Sequence, residues 1–336
     1  MKLLVVGLGS MGKRRIRNLQ YLKGGEILGF DPRADRCDEV VEQYGIRTFP
    51  DFDEAMAADP DALIISTPPE LHLQYERIAA TNGKHFFCEV GVGTEGIDEL
   101  AQLTHGKGIV AAPSCTLRFH PMVQRIKSVV DADEIGPVLS FSSHSGQYLP
   151  DWHPWEDYRR FWASKRQTGA CREQFVLEAI WLTWVMGPVR SVACFKDKMT
   201  SLDTDIDDVY QMVVRLGDRV LGHLMLDVVS RVAYRGGRLF SEEGIVEWSL
   251  ADRYVRVYSG ADKQWREYTD ESAQVEDGYV YAEGMYIAEM ERFLKAVGGE
   301  HEWAYSLADD RQTQEALEAA DLSAETGRSI TLGKRD

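Results

Sequence analysis

The sequence has no apolar run long enough to cross a membrane. No stretch reaches the roughly 18 consecutive apolar residues that a spanning helix needs, so we expect no membrane partner. The chain enters a strand-like run at Lys2, which leaves no space for a signal peptide, and this indicates a cytoplasmic protein. Internal repeats and low-complexity segments are also absent.

Positive charge and paired cysteines are scarce as well. The 38 Lys and Arg residues face 54 Asp and Glu residues, which gives a formal net charge of -16. Because phosphate backbones bind to basic surfaces, nucleic acid is not expected as a partner. The cysteines are scattered and odd in number, and none forms a Cys-x-x-Cys pair, so they indicate reduced thiols in a cytoplasm. They are Cys37, Cys88, Cys115, Cys171 and Cys194.

No pattern of metal ligands is present either. The acidic run from Asp203 to Asp208 has no matching His or Cys, so we expect a solvated loop there and no metal site. The chain has 336 residues with 44% hydrophobic content, which is enough for two domains, each with its own core.

A glycine-rich turn follows the first apolar run. Lys2 to Val6 predicts a strand and Lys13 to Leu19 predicts a helix, with the G-x-G-x-x-G motif between them. The first glycine permits a tight turn, the second lets a diphosphate approach, and the third lets helix and strand pack closely. The amides that open the helix then face the phosphates. This strand–turn–helix context predicts a dinucleotide site. It comprises Gly7, Leu8, Gly9, Ser10, Met11 and Gly12.

An acidic residue ends the second predicted strand, Glu26 to Phe30. An acid about 20 residues past the glycines binds the ribose hydroxyls of NAD, and Asp31 stands there. Its charge would repel the 2′-phosphate of NADP, whereas Arg33 and Arg36 can attract it. The sequence therefore favours NAD and leaves NADP open. Asp31 can also serve as the N-cap of the next helix.

Strands and helices alternate through residues 1–118, which predicts a doubly wound parallel sheet of the Rossmann type. The predicted strands after the first two are Leu63–Ile65, His85–Cys88 and Ile109–Ala112. The predicted helices there include Glu70–Asn82, with Gly83 as its C-terminal cap, and a helix capped by Thr94 that runs to His105.

Residues 119–336 show a different pattern, which predicts a second α/β domain with an open, mainly antiparallel sheet. Six or seven strands between Val189 and Tyr268 follow one another without intervening helices. The last two helices can pack back on the first domain. The other predicted elements are a helix Pro121–Ala132, a strand Val138–Leu149, a helix Phe175–Met186, and the final helices Glu283–Val297 and Asp309–Thr326, with Gly327 as a cap.

These pieces together resemble the glucose–fructose oxidoreductase, inositol 2-dehydrogenase and MocA family over nearly the whole chain. The matching motifs are Gly7 to Gly12, Thr67-Pro68-Pro69 with His72, Gly83-Lys84-His85 leading to Glu89, Arg118-Phe119-His120-Pro121, Ile135-Gly136-Pro137-Val138, and the ending from Glu289 through Phe293, Ser323, Thr326-Gly327-Arg328 and Ile330. The run Gly146 to Trp152, with Asp157-Tyr158-Arg159, resembles a branch that acts on sugars or nucleotide sugars. The resemblance implies oxidation or reduction of a sugar or polyol carbinol with NAD(P), and a homo-oligomer, a dimer or tetramer, formed through one sheet face.

The resemblance also implies site residues. On the cofactor side they are Arg33, Ser66, Thr67, Pro68, His72 and Glu89, in addition to the glycine turn and Asp31. For the substrate we expect Arg118, Tyr148, Trp152 and His153, and Trp155 is a further candidate for stacking on a sugar. His72 can instead be a structural histidine, and Arg118 can simply pair with an acid.

The usual acid–base groups of the family are missing. Where the family has Glu-Lys-Pro, this chain has Glu89-Val90-Gly91, and valine carries no proton. The family histidine falls on Leu177, and the family aspartate falls on Gln174 or on Glu173.

Three interpretations remain open. In the first, an oxidoreductase moves its proton with Glu173 or Glu178, the former favoured because it shares a helix face with Leu177. Tyr148, His153 or Arg118 can polarise a carbonyl in that case. The second is an NAD-bound lyase, isomerase or hydrolase, and the third is a non-catalytic sensor. Glu178 can also be only ion-paired, and Glu173 can only complement the helix dipole.

Overall fold

The computed structural model describes residues 1–154, 156–270 and 282–333. The chain forms two compact units. The first consists of Met1–Thr116 and Gly284–Arg311, and the second of Leu117–Glu283 and Gln312–Asp336. The first boundary lies two residues before the predicted one, and one of the two final helices belongs to the first unit, as the sequence allowed.

The first unit contains a six-stranded parallel sheet, which confirms the predicted Rossmann arrangement. The order β3-β2-β1-β4-β5-β6 reverses between β1 and β4, and ligands of such sheets bind at this point outside the carboxyl ends of the strands. The strands are β1 (Lys2–Val6), β2 (Glu26–Phe30), β3 (Arg47–Phe49), β4 (Ala62–Ile65), β5 (His85–Cys88) and β6 (Ala111–Pro113). The helices are α1 (Ser10–Leu22), α2 (Ala34–Tyr44), α3 (Phe52–Ala57), α4 (His72–Thr81) and α5 (Ile97–Thr104).

The apolar runs of β1 and β4 are buried on both faces of this sheet. Every residue from Leu3 to Val6 and from Ala62 to Ile65 is fully buried. Alternate side chains along each strand enter two separate cores, one on each side of the sheet. These strands are apolar at every position because both faces of the sheet are covered.

Two predicted helix starts in this unit are wrong. Thr94 does not cap a helix, because its carbonyl accepts the amide of Ile97 in a turn and α5 begins only after Gly96. Gly96 has a φ of +77°, a left-handed conformation that breaks the helix at this point. The helix predicted from Glu70 begins instead with a short 3₁₀ turn, Pro69–Leu71, ahead of α4.

The second unit contains a nine-stranded sheet in the order β14-β13-β12-β11-β7-β10-β9-β8-β15. Seven of its strands lie between Val189 and Thr269, and the sheet is antiparallel as predicted except for the pair β7 and β10. The elements are α6 (Pro121–Asp131), β7 (Val138–Gly146), α7 (Ala170–Met186), β8 (Val189–Asp197), β9 (Val209–Leu216), β10 (Val220–Asp227), β11 (Tyr234–Ser241), β12 (Gly244–Ser249), β13 (Tyr254–Ser259), β14 (Gln264–Thr269) and β15 (Ile330–Thr331).

Helix α7 packs on this sheet through its apolar side chains. It begins at Ala170, directly after Gly169, and is therefore five residues longer at its start than the sequence predicted.

The helix α8 (Gly284–Val297) packs on α1 in the first unit. The helix α9 (Leu307–Thr326) ends where predicted, because Gly327 has a φ of +65°. Across the described ranges, no helix has the length and apolar character needed to span a membrane.

Candidate functional site

The glycine turn has the geometry that a diphosphate site requires. Gly7 has a φ of +90°, and a Cβ atom there would lie 2.8 Å from the carbonyl oxygen of Ser66. A Cβ atom on Gly12 would lie only 1.9 Å from the carbonyl oxygen of Gly7, so helix and turn could not pack. At Gly9 the nearest atom within the described ranges would be Nη1 of Arg36, at 3.7 Å, so these residues leave space in front of Gly9.

The start of α1 can accept an anion. Its N-cap residue is Gly9, which has no side chain to accept the first amides, and the first turn has no acidic residue. The positive end of the helix dipole therefore faces the space in front of Gly9 without a protein carboxylate to compensate it. The turn and the helix start together fit a diphosphate.

Asp31 lies at the end of β2 and connects it to the glycine turn. Its buried carboxylate accepts the amide of Leu8 at 2.9 Å and the amide of Arg33 at 3.0 Å. The N-cap of α2 is Arg33, so the expected role of Asp31 as the N-cap itself is wrong. The guanidinium of Arg36 lies 3.3 Å from Asp31, whereas Arg33 pairs with Asp35 at the surface. Arg36 is therefore the arginine beside the predicted ribose position.

Two hydroxyl groups at the end of β4 also fit a ligand. The Ser66 and Thr67 hydroxyls are buried and have no hydrogen-bond partner within the described part of the chain. Buried polar groups are normally paired, so unpaired ones beside the glycine turn are consistent with a ligand there. His72 lies 2.8 Å from the carbonyl oxygen of Thr67, and burial lowers the pKa of His72. A neutral His72 thus fixes the loop that contains Thr67 and Pro68.

A buried network of charged side chains lies next to the end of β5. Arg15 binds both carboxylate oxygens of Glu89, at 2.6 and 3.0 Å, and one oxygen of Glu289 at 2.9 Å. Glu289 on α8 also accepts the hydroxyls of Ser114 and Thr116. The sequence had predicted Glu89 as a cofactor-side residue and Glu289 only as part of a motif, and Arg15 was missed. The available signal was that Arg15 stands beside Ile16 in a helix that must pack against the sheet.

The two acid–base candidates lie on different faces of α7. Glu178 is fully buried, with its carboxylate 2.8 Å from Nε of Arg235 and 2.8 Å from the indole nitrogen of Trp181. Burial raises the pKa of Glu178, and the charge of Arg235 opposes that rise. Glu173 and Leu177 are both partly exposed. Of the two candidates, Glu173 is therefore the more exposed residue, and Glu178 is closed off from solvent.

The predicted substrate residues all belong to the second unit. Arg118 donates to the carbonyl oxygen of Ile180 at 3.0 Å, which joins it to α7. The ring of Tyr148 packs 3.7 Å from the guanidinium carbon of Arg231. The indole of Trp152 donates to the carbonyl of Gln147 at 3.1 Å.

His153 lies among aromatic and acidic neighbours in the same loop. Its ring centre is 4.3 Å from that of Phe161, and its Nδ1 atom is 3.4 Å from a carboxylate oxygen of Glu156. Burial lowers the pKa of His153, and Glu156 opposes that effect. Trp155 lies outside the described residues. Substrate binding by these loop residues stays a prediction.

Sequence reasoning missed an aspartate–histidine pair at the end of β10. Nε2 of His144 lies 2.6 Å from the buried carboxylate of Asp227. That carboxylate also accepts the amides of Val229 and Ser230 at 2.9 and 2.7 Å. Burial alone would raise the pKa of Asp227, but these donors bring it below the usual range. Because β7 and β10 are distant in sequence and unexpectedly parallel, no local signal could have paired the two residues.

Comparisons with known proteins assign both units to the same family. Residues 1–112 match the model of the oxidoreductase family with an NAD-binding Rossmann fold, and residues 123–247 match the GFO/IDH/MocA C-terminal domain. Inositol 2-dehydrogenase 3 of Saccharopolyspora erythraea is 31% identical over 155 residues, 44% of this chain and 46% of the relative. D-xylose 1-dehydrogenase (NADP(+)) 2 of Haloferax volcanii is 35% identical over 153 residues, with the same coverage. The match thus spans less than half the length of these curated relatives.

Solved structures share the fold over the whole chain. A levoglucosan dehydrogenase in complex with NADH superposes with a TM-score of 0.87, 18% identity, and complete coverage of both chains. An Agrobacterium radiobacter oxidoreductase in complex with NAD+, L-tartaric acid and magnesium gives 0.87 at 14% identity, with 98% of each chain covered.

Proposed function

Because the chain belongs to the glucose–fructose oxidoreductase, inositol 2-dehydrogenase and MocA family, we propose that it is an NAD-dependent oxidoreductase acting on a sugar, nucleotide sugar or polyol. The observation that carries the proposal is the open space in front of Gly9 at the positive end of α1, with Asp31 fixed beside it. The curated relatives that act on inositol and xylose support the substrate class. Hydride transfer is the chemistry that the nicotinamide supplies, and the protein contributes binding, orientation and proton transfer.

We assign proton transfer to Glu173. It lies in the first turn of α7, four residues before Leu177, so both side chains share one partly exposed face of the helix. Glu178 is committed to Arg235 and Trp181. Arg118, Tyr148, Trp152 and His153 remain our candidates for substrate contact.

The proposal is tested by turnover. The purified protein is incubated with NAD+ and a panel of sugars, polyols and nucleotide sugars, and the release of NADH is followed by absorbance. Product formation with NADH release supports the oxidoreductase. Conversion of a substrate with no net change in NAD+ would identify a non-redox enzyme, and cofactor binding without any conversion would identify a sensor.

Cofactor preference gives a separate prediction. We expect the protein to bind NADH more tightly than NADPH, because the Asp31 carboxylate would repel a 2′-phosphate. Asp31→Asn, which removes the charge, should reduce this preference by roughly tenfold. Affinities for both cofactors are measured by fluorescence titration, with Asp38→Asn on the exposed side of α2 as the control. Tighter binding of NADPH by the unaltered protein would refute the preference for NAD.

We also propose a homo-oligomer formed through the open face of the nine-stranded sheet. The strand registers place Phe195, Val213, Leu221 and Phe240 on one face, where all four are exposed and Phe195 is 78% exposed. Exposed apolar side chains that share one face of a sheet are typical of an interface between proteins. A cytoplasmic location is likewise proposed, supported by five buried cysteines without a disulfide.

The oligomer is tested by light scattering at micromolar concentration. We expect at least the mass of a dimer, and we expect Val213→Asp with Leu221→Asp to give monomers, because the charges would be buried in the interface. Val41→Asp, at an exposed apolar residue of α2, is the matched control and should leave the mass unchanged. A monomeric mass for the unaltered protein would reject the oligomer.

A further inference from the structure

The three charged side chains of the network in the first unit, Arg15, Glu89 and Glu289, differ in their exposure to solvent. The side chains of Arg15 and Glu289 are fully buried, whereas that of Glu89 is 15% exposed. The guanidinium of Arg15 packs against aromatic rings, with Cζ 4.6 Å from the ring centre of Phe87 and 5.4 Å from that of Tyr286. Glu89 is therefore the most exposed member of the network.

The network lies in the nicotinamide half of the predicted cofactor site. Doubly wound sheets bind a dinucleotide with one mononucleotide on each half of the sheet. Asp31 at the end of β2 marks the adenosine half. Glu89 directly follows β5, and Ser114 to Thr116 directly follow β6, so the network joins the two strand ends of the other half.

Taken alone, the three ionisable side chains of the network sum to one negative charge. Arg15 supplies one positive charge, and Glu89 and Glu289 supply one carboxylate each. Burial raises the pKa of Glu289, and the neighbouring charge of Glu89 adds to this rise, whereas Arg15, the Thr116 hydroxyl and the Cys115 amide oppose it. Four groups donate to its two oxygens, which is the pattern of an ionised carboxylate. They are the Arg15 guanidinium, the Cys115 amide and the Ser114 and Thr116 hydroxyls.

No compensating cation follows Glu89 in the chain. The next residues are Val90 and Gly91, and neither side chain carries a charge. We propose that the Arg15–Glu89–Glu289 network is a charge device that makes this protein bind oxidised NAD+ preferentially over NADH. The oxidised ring bears a positive charge that the reduced ring lacks, so a fixed negative charge stabilises only the former. This inference rests on the proposed cofactor function and adds to it a preference for the oxidised form of the cofactor.

The test compares two affinities in the same protein. NADH binding is measured by fluorescence titration and NAD+ binding by competition, at one pH and ionic strength. Glu89→Gln removes the charge and keeps a hydrogen-bond acceptor for Arg15. We expect it to lower the affinity for NAD+ about tenfold relative to that for NADH. By linkage, this raises the potential of the bound two-electron couple by about 30 mV.

Two further variants separate charge from structure. Glu89→Asp keeps the charge and should retain the preference for NAD+ over NADH. Glu95→Gln removes an exposed carboxylate from the same connection between β5 and α5, and should leave both affinities unchanged. Equal losses of NAD+ and NADH affinity in Glu89→Gln would show a purely structural network and overturn the inference. Failure of the unaltered protein to bind either form would instead reject the proposed function.

Discussion

Gly9→Val is expected to abolish dinucleotide binding, with the affinity for NADH lowered about a hundredfold or more. The residue has an ordinary φ of -73°, so valine does not strain the backbone. Its branched side chain would fill the space between Gly9 and Arg36, through which the diphosphate must approach the start of α1. Isothermal calorimetry with NADH measures the effect directly.

The control for this prediction is Gly284→Val at the start of α8. A Cβ atom at Gly284 would meet no atom of the described residues within 4 Å, so this variant should bind NADH as the unaltered protein does. Thermal unfolding of both variants shows whether the fold is intact. Unchanged NADH affinity in a folded Gly9→Val protein would remove the glycine turn as the cofactor site.

Glu173→Gln and Glu178→Gln are expected to fail in different ways. Glu173→Gln should lower kcat by about 10²–10⁴-fold, the usual effect of losing a general acid or base, with little change in stability. Glu178→Gln should instead lower the free energy of unfolding by about 3–5 kcal/mol, because the charge of Arg235 would stay buried without its partner.

The two variants are compared by urea unfolding and by steady-state kinetics at several pH values, once a substrate has been found. NADH affinity serves as the measure of an intact first unit. If Glu173→Gln keeps the kcat and pH profile of the unaltered protein, that carboxylate does not move the proton. The role would then pass to Tyr148, His153 or the substrate itself.

The features that the sequence predicted well are those encoded by short stretches. The glycines that the turn needs, the apolar strand that precedes it and Asp31 all lie within the first 31 residues, and each has a local physical reason. The continuous apolar runs likewise predicted a parallel sheet, because only strands covered on both faces need them. The left-handed Gly96 broke a helix that the residues around it favoured.

Pairing between distant segments was not predictable in the same way. The parallel alignment of β7 with β10 depends on strands about 80 residues apart, and with it depends the contact of His144 with Asp227. Glu178 on α7 gave no sign of its burial, because its partner Arg235 lies on β11, far away in the sequence. Such contacts are decided by the packing of the whole unit.

The return of Gly284–Val297 to the first unit has a consequence for the order in which the chain becomes complete during synthesis. Glu289 is the residue that accepts Arg15, Ser114 and Thr116, yet it leaves the ribosome more than 170 residues after the last of them. Until then the arginine of the first unit has only one carboxylate partner, and the Ser114 and Thr116 hydroxyls have only each other to bond. A fragment ending at residue 118 would keep that defect permanently, so the cofactor-binding half is a product of both ends of the chain.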